Sequence, residues 1–189
     1  MKNYSDKELM EMVVNRNAEA FKILYNRYNI QIFNFIRRFS GRRELAQDLL
    51  QETFTRVWFA AHTFDLKKGN FRGWIYKIAL NTTRNEMSKK QYEYHYDDWC
   101  EVCSTSQEPC LAATEQPDSK LFQSELRAII AEALGKLNPL FREIIILKHY
   151  QQLKFKEIAE ITNTPEGTLK ARFHHGIARL KELLEPLDL

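Results

Sequence analysis

Three sets of residues in this 189-residue chain have types and spacings suited to chemistry. The stretch HYDDWCEVCSTSQEPC, residues 95–110, holds all three cysteines and one of the five histidines. Cys100-x-x-Cys103 has the spacing of half a zinc site, and Cys110 and His95 could complete a Cys3His set, though not at a standard spacing. The same thiols could instead pair under oxidation, or be ordinary thiols in a loop; the stretch leaves all three readings open. An odd number of cysteines argues against a disulfide framework. The second set is Asp48 and Glu52, two carboxylates one helical turn apart. That spacing suits a metal or acid–base pair, but no histidine lies nearby in sequence to complete such a site. A solvated face with a Glu52–Arg56 pair, or a docking surface for a basic partner, explains it equally well. The third set is His174 and His175. Neighbours on a helix point about 100° apart, so they share one ion poorly and better suit contact with phosphate or a base edge.

The elements that position these residues follow from charge and periodicity. Residues 1–90 carry 17 Lys/Arg and 9 Asp/Glu, residues 91–119 carry 7 acids and no base, and residues 120–189 carry 11 bases and 9 acids. A basic block, an acidic block and a mildly basic block imply three segments with different partners, the first suited to a polyanion. No apolar run reaches the roughly 18 residues of a membrane span. The N-terminus lacks a signal-peptide pattern, so the expected location is cytoplasmic, without membrane insertion.

The periodicity is helical and shows no strand pattern. Ser5-x-x-Glu8 forms a capping box. Phe21, Leu24, Tyr28, Ile32, Phe35 and Phe39 mark one apolar face, and Leu45, Leu49, Phe54, Val57, Trp58 and Ala61 a second. After the turn DLKKGN, a helix from Phe71 buries Trp74, Ile75, Ile78 and Thr82. Periodicity stops near residue 91 and returns at Phe122, and Asn138-Pro139 then reads as an N-cap with proline at the first helical position. The expected fold is all-α: two small helical domains, residues 1–91 and 120–189, joined by an acidic flexible linker at 92–119.

Two parts of this framework suit nucleic acid. In LKFKEIAEITNTPEGTLKARFHHGIARLKELL, a short helix ends at Asn163, which tolerates a left-handed backbone, and Thr164-Pro165 caps and starts a second helix. That helix buries Leu169, Phe173, Leu180 and Leu184. It turns Thr168, Lys170, Ala171, His174 and His175 outward, with Arg172 on the flank. This is the arrangement of a helix-turn-helix whose second helix enters a major groove; an ordinary helical hairpin is the plainer reading. The helix from Phe71 interleaves Arg72, Lys77, Asn81 and Arg84 with Phe64, Phe71, Trp74 and Tyr76. Rings for stacking beside cations for phosphate suit a single strand, although several of these rings also suit a core.

DLLQETFTRVW, FRGWIYKIALNTTRN and the helix-turn-helix stretch, in this order across a linker, resemble the bacterial extracytoplasmic-function (ECF) sigma factors of the sigma-70 family. The resemblance covers about residues 5–185 apart from the linker. It implies a non-enzymatic RNA polymerase sigma factor that directs promoter-specific initiation, for a regulon responsive to stress or to envelope, metal or redox signals. The implied partners are core RNA polymerase (β′ clamp helices and β flap), double- and single-stranded promoter DNA, and an anti-sigma factor. No cofactor is required, with zinc in the linker as an option. Asp48, Gln51, Glu52 and Phe54 match the polymerase-binding motif. Phe64, Arg72, Trp74, Tyr76, Lys77, Asn81 and Arg84 fall where the minus-ten element is recognised and melted. Thr168, Lys170, Ala171, Arg172, His174 and His175 fall where the minus-thirty-five element is read. Asn163 stands where the family usually has glycine, and His174-His175-Gly176 replaces a stretch usually richer in arginine. The alternative is a stand-alone helix-turn-helix regulator with an N-terminal sensor or dimerisation domain; the exposed DLLQETF stripe argues against it.

Overall fold

The computed structural model describes residues 4–89 and 117–185, with side chains from 126 onward in the second segment. The described residues form eight α-helices and no strand. The first four are α1 (Asp6–Val14), α2 (Ala18–Ser40), α3 (Arg43–Phe59) and α4 (Phe71–Lys89). Ser5 caps α1 through the reciprocal bonds with Glu8 that its spacing predicts. Asn17 accepts from the Ala20 amide to open α2, and Gly41 ends it in a left-handed conformation at φ 75°. Leu9, Met10 and Val13 of α1, Leu24, Ile32 and Phe35 of α2, Leu49 and Val57 of α3, and Ile75 and Leu80 of α4 close one core. Asp6 reaches from α1 to the Arg27 guanidinium and the Tyr28 hydroxyl, tying α1 to α2.

The second segment is α5 (Pro117–Lys136), α6 (Pro139–Ile145), one π turn (Ile146–Tyr150), α7 (Phe155–Thr162) and α8 (Glu166–Leu184). Helix thus begins at residue 117, three residues inside the stretch expected to be linker. Asn138 caps α6 by accepting from the Leu140 amide, with Pro139 in its first turn, as its sequence predicts. Asn163 takes the left-handed φ of 53° that the turn between α7 and α8 needs. The start of α8 differs in detail from expectation. Pro165 is itself the N-cap, and the Thr164 hydroxyl donates back to the Thr162 carbonyl instead of capping the helix. Proline has no side-chain acceptor, so the N-terminal amides of α8 have no side-chain cap. Leu169 is buried, while Phe173, Leu180 and Leu184 are only half-buried. Gly176 lets α8 lie close on α6, where a Cβ would stand 3.1 Å from both Phe141 Cβ and Ile145 Cδ1.

The two helical groups pack on each other. Ile144, Ile146, Leu147, Leu153, Ile158, Ile161 and Leu169 continue the core of α1–α4 without a break. Fully burying each such side chain contributes about 1.5–3 kcal/mol, so the contact between the groups is substantial. Arg142 is the polar pin of this junction. Buried to 1% exposure, it donates to the carbonyls of Leu134, Gly135 and Leu137 around the α5–α6 turn and to Phe39 at the end of α2.

Candidate nucleic-acid interface

The turn before α4 is built by its own side chains. Asp65 Oδ1 accepts from the Lys67 and Lys68 amides at 2.9 and 3.3 Å, Gly69 takes φ 62°, and Asn70 Oδ1 accepts from the Gly73 amide at 2.9 Å. This is Asx-turn chemistry followed by a helix cap. It sets Phe64 edge-on to Phe71 and Trp74, with centroids 6.2 and 5.3 Å apart. Phe64 and Phe71 are buried, and Trp74 is half-buried. Beside them lies a cavity of about 340 Å³, lined by Phe64, Asn70 and Trp74, with Lys68 and Lys77 among its walls and Glu160 and Ile161 of α7 across it. Rings, amide groups and cations around a concave space are what an unstacked base with its phosphate requires.

Further along α4, the candidates divide. Lys77 and Asn81 are exposed. Arg72, Tyr76 and Arg84 instead point at the second helical group. Arg72 Nη2 donates to the Gln151 carbonyl, and its Nε is buried without a partner. Tyr76, one of the rings offered for stacking, is fully buried, and its hydroxyl donates to Gln151 Oε1 at 2.5 Å. Burial pushes that hydroxyl up to about 12 against the opposing charge of Arg72. Arg84 grips Glu143 of α6 with two bonds, Nε to Oε2 at 2.9 Å and Nη2 to Oε1 at 2.5 Å. The carboxylate is 2% exposed and the guanidinium 34%. Burial pushes the Glu143 carboxyl up, and Arg84 acts in the other direction. The partners on this side, Glu143 and Gln151, have no signal in the sequence, because their pairing with α4 depends on how the two groups pack.

On α3, Asp48, Gln51 and Glu52 are exposed, and Glu52 holds Arg56 in an exposed pair at 2.5 Å. Phe54 lies beneath this stripe at 3% exposure, tilted against Tyr25 at 4.7 Å and edge-on to Phe21 at 6.2 Å. It forms the floor of an apolar groove of about 680 Å³ between α2 and α3, with Phe21, Tyr25, Leu50, Trp58 and Phe59 on its walls. Phe59 stands 64% exposed at the end of α3. The groove was only half legible in the sequence: α3 supplies three of its rings, Phe54, Trp58 and Phe59, but Phe21 and Tyr25 come from the preceding helix.

On α8, Thr168, Lys170, Ala171, His174 and His175 are exposed and Arg172 is half-buried on the flank, as the periodicity predicts. Lys170 pairs with Glu166, one turn back at 2.8 Å, in a solvent-exposed pair, and its ammonium lies 5.9 Å from the centre of the Phe155 ring. Among the described residues, no group of three or more His, Cys, Asp or Glu side chains could hold a metal ion. His95, Cys100, Cys103 and Cys110 lie outside the described residues. No described helix is long and apolar enough to cross a membrane.

Comparison with known proteins agrees with this layout. The sigma-70 region 2 family model matches residues 24–92, and a sigma-70 region 4 model matches residues 127–180. The chain is 31% identical to the ECF RNA polymerase sigma factor SigW of Bacillus subtilis over 96% of this chain and 97% of that one. It is 27% identical to the RNA polymerase sigma-H factor of Pseudomonas aeruginosa, covering 96% and 95%. Among solved structures, CnrH in complex with the cytosolic domain of CnrY aligns at TM-score 0.70 and 23% identity over 97% and 99% of the two chains. The sigma factor RpoE of Bartonella quintana, in complex with the anti-sigma factor NepR, aligns at 0.65 and 24% over 87% and 96%. With region 2 matched over residues 24–92, region 4 over 127–180 and an ECF sigma factor 31% identical along the chain, the chain belongs to the ECF sigma factors of the sigma-70 family.

Proposed function

We infer that this chain, an RNA polymerase sigma factor, divides its work among three surfaces. The α3 stripe of Asp48, Gln51 and Glu52, with Phe54 beneath and the groove beside it, docks on core polymerase. The turn at 64–70 and the face of α4 with Arg72, Trp74, Tyr76, Lys77, Asn81 and Arg84 take the minus-ten strand. The exposed side of α8, from Thr168 to His175, reads the minus-thirty-five duplex. Catalysis then belongs to the polymerase, and the chain supplies recognition in the cytoplasm without a cofactor of its own. The observation that carries the reading is the ring-and-lysine cavity at the start of α4, beside a separate exposed reading helix on α8. Unstacking a base costs a few kcal/mol, which ring contacts there and docking on polymerase offset. The likeness to RpoE solved with the anti-sigma factor NepR supports a similar partner for this chain.

The test is run-off transcription with purified core polymerase. The expected result is promoter-specific initiation by this chain plus core alone. The double variant Asp48→Lys, Glu52→Lys should lose core binding by roughly a hundredfold, the order expected when two complementary charges at an interface are reversed. Core binding that survives the double reversal rules out the α3 docking face. Initiation that depends on a second sigma factor points to a stand-alone regulator.

A further inference from the structure

Among the described residues, three other than glycine have a positive φ: Arg16 at 63°, Gln152 at 51° and Asn163 at 53°. Asparagine adopts this conformation readily, and Asn163 serves the turn before α8. Arginine does not. Arg16 occupies the C′ position of a Schellman motif between α1 and α2: its amide donates to the Val13 carbonyl at 2.9 Å, and the Asn17 amide to the Met12 carbonyl at 3.0 Å. That position favours glycine, because a Cβ in the left-handed region crowds the backbone. The work of the Arg16 side chain lies 42 positions along the chain. Its Nη1 donates to the Trp58 carbonyl at 2.9 Å, and its guanidinium carbon stands 5.5 Å from the centre of the Trp58 ring. Trp58 belongs to the last turn of α3, where carbonyls have no partner within the helix and a cation meets the negative end of the dipole. Phe21 of α2 holds the same ring edge-on at 5.1 Å. Trp58 and the next residue, Phe59, which is 64% exposed, form part of the wall of the apolar groove between α2 and α3. Arg16 is not itself part of that wall.

We propose that Arg16 is a positioning residue for polymerase docking: held in a strained backbone conformation, it locks the last turn of α3 so that Trp58 and Phe59 are set before the partner arrives. This role rests on the reading of α3 and its groove as the docking face. Backbone outliers of this kind persist where a site needs the side chain they carry. The Trp58 contacts are exposed to solvent, and an exposed hydrogen bond and an exposed cation–ring contact are each weak. Together they about offset the left-handed strain, so the fold gains little from arginine over glycine at this position. The gain falls on the groove. Helix ends fray, and a partner that met a frayed α3 would have to order Trp58 and Phe59 as it bound. Arg16 removes that cost from association by fixing the Trp58 carbonyl and ring beforehand. It acts through Trp58, from behind the wall that the partner touches.

Three variants of the full-length chain separate positioning from plain structure. Arg16→Gly and Arg16→Ala both lose the side chain, and only alanine keeps the left-handed strain. Arg16→Lys keeps a cation for the Trp58 ring without the guanidinium fork. Binding to purified core polymerase is followed by surface plasmon resonance, and stability by urea unfolding. In urea, Arg16→Gly should unfold at or above the wild-type midpoint and Arg16→Ala below it. Binding should follow a different order. Arg16→Gly and Arg16→Ala should bind core equally, both roughly tenfold more weakly than the wild type, the order expected when two side chains must be ordered on binding. The loss should appear as faster dissociation with an unchanged association rate. Arg16→Lys should bind within about threefold of the wild type. If Arg16→Ala fails to fold, Arg16→Gly against the wild type decides. Binding that tracks stability, with Arg16→Gly equal to the wild type, makes Arg16 a structural residue and overturns the positioning role. A loss confined to the association rate that vanishes at high salt makes it a direct charge contact and overturns the role as well. The double variant Asp48→Lys, Glu52→Lys tells this role from the docking face. Core binding lost in the double variant but intact in Arg16→Gly keeps the face and removes the role; core binding intact in the double variant removes both.

Discussion

The two helices proposed to face DNA in this sigma factor, α4 and α8, carry similar chemistry and stand in opposite states. On α8, five of the six candidates are exposed and Arg172 is half-buried, and the one ion pair among them, Lys170 with Glu166, is local and open to solvent. On α4, three of the polar candidates end on region 4, and Tyr76 is fully buried. The difference is not one of residue type. A helix that packs through one side keeps its other side free, and α8 does so through Leu169 and Gly176. Helix α4 packs on α2 and α3 on one side and on α7 and the π turn on the other, so its polar side is drawn into a second interface. A reading surface therefore depends on what else needs the helix, and an arginine aligned for phosphate serves equally for a carboxylate.

The largest expected effect removes the frame that both surfaces share. Arg142→Ala leaves four carbonyl acceptors around the α5–α6 turn and α2 without their donor. With an unsatisfied buried acceptor costing about 1–3 kcal/mol and partial relaxation, a loss of roughly 3 kcal/mol or more is expected in urea unfolding. The contrast between the faces should vanish, with α4 uncovered and α8 disordered. A loss under about 1 kcal/mol would show that Arg142 does not pin the junction.

A smaller effect falls on the open face alone. Gly176→Val forces a branched side chain into space already bounded at 3.1 Å by Phe141 and Ile145, which should cost about 1–3 kcal/mol. Duplex binding should fall with it, while the α4 contacts in the closed chain persist. Lys170→Ala touches only the reading surface. It should lower duplex affinity across sequences and reduce the salt slope by about one, measured as binding against salt concentration. Arg84→Ala in the free chain should leave that slope unchanged, because Arg84 is already engaged with Glu143. A drop with Arg84→Ala would break the comparison directly.

The smallest effect is a pH dependence of closure. Burial in the closed form pushes the Glu143 carboxyl above its ordinary value, so closing takes up a proton. Closure is then favoured most below the ordinary carboxylate value, and this advantage is lost as pH rises through the raised, closed-form value. Interdomain scattering or energy transfer followed from neutral to mildly acidic pH should show a shift toward the compact form, absent in Glu143→Gln. A shift toward the extended form on acidification would reverse the assigned sign.

Much of this was legible in the sequence. The capping box at Ser5, the Asn138-Pro139 start and the left-handed Asn163 are local devices, satisfied by backbone groups a few residues away, and each stands where the sequence puts it. The exposed stripe on α8 and the acids of α3 follow from helical period alone. The start of α8 shows the limit of local reading: Thr164-Pro165 fits a cap by type, yet the Thr164 hydroxyl finds the Thr162 carbonyl first. Tyr76 shows another limit: helical period places it on α4, but a stripe does not say whether a second helical group covers it.

The sequence by itself determined the helices, most of their caps, and the residue types exposed on α3 and α8, because these depend on contacts within a few turns of chain, and it carried the motifs by which the family was recognised. Only the tertiary structure decided which of those residues are free. Glu143 and Arg84 are 59 positions apart, and Gln151 and Tyr76 are 75 apart. Their meeting depends on the burial of Ile144, Leu147, Ile158 and Ile161 against the core of α1–α4. That burial is non-directional and summed over many side chains, so no local pattern announces which polar pairs it will bring together.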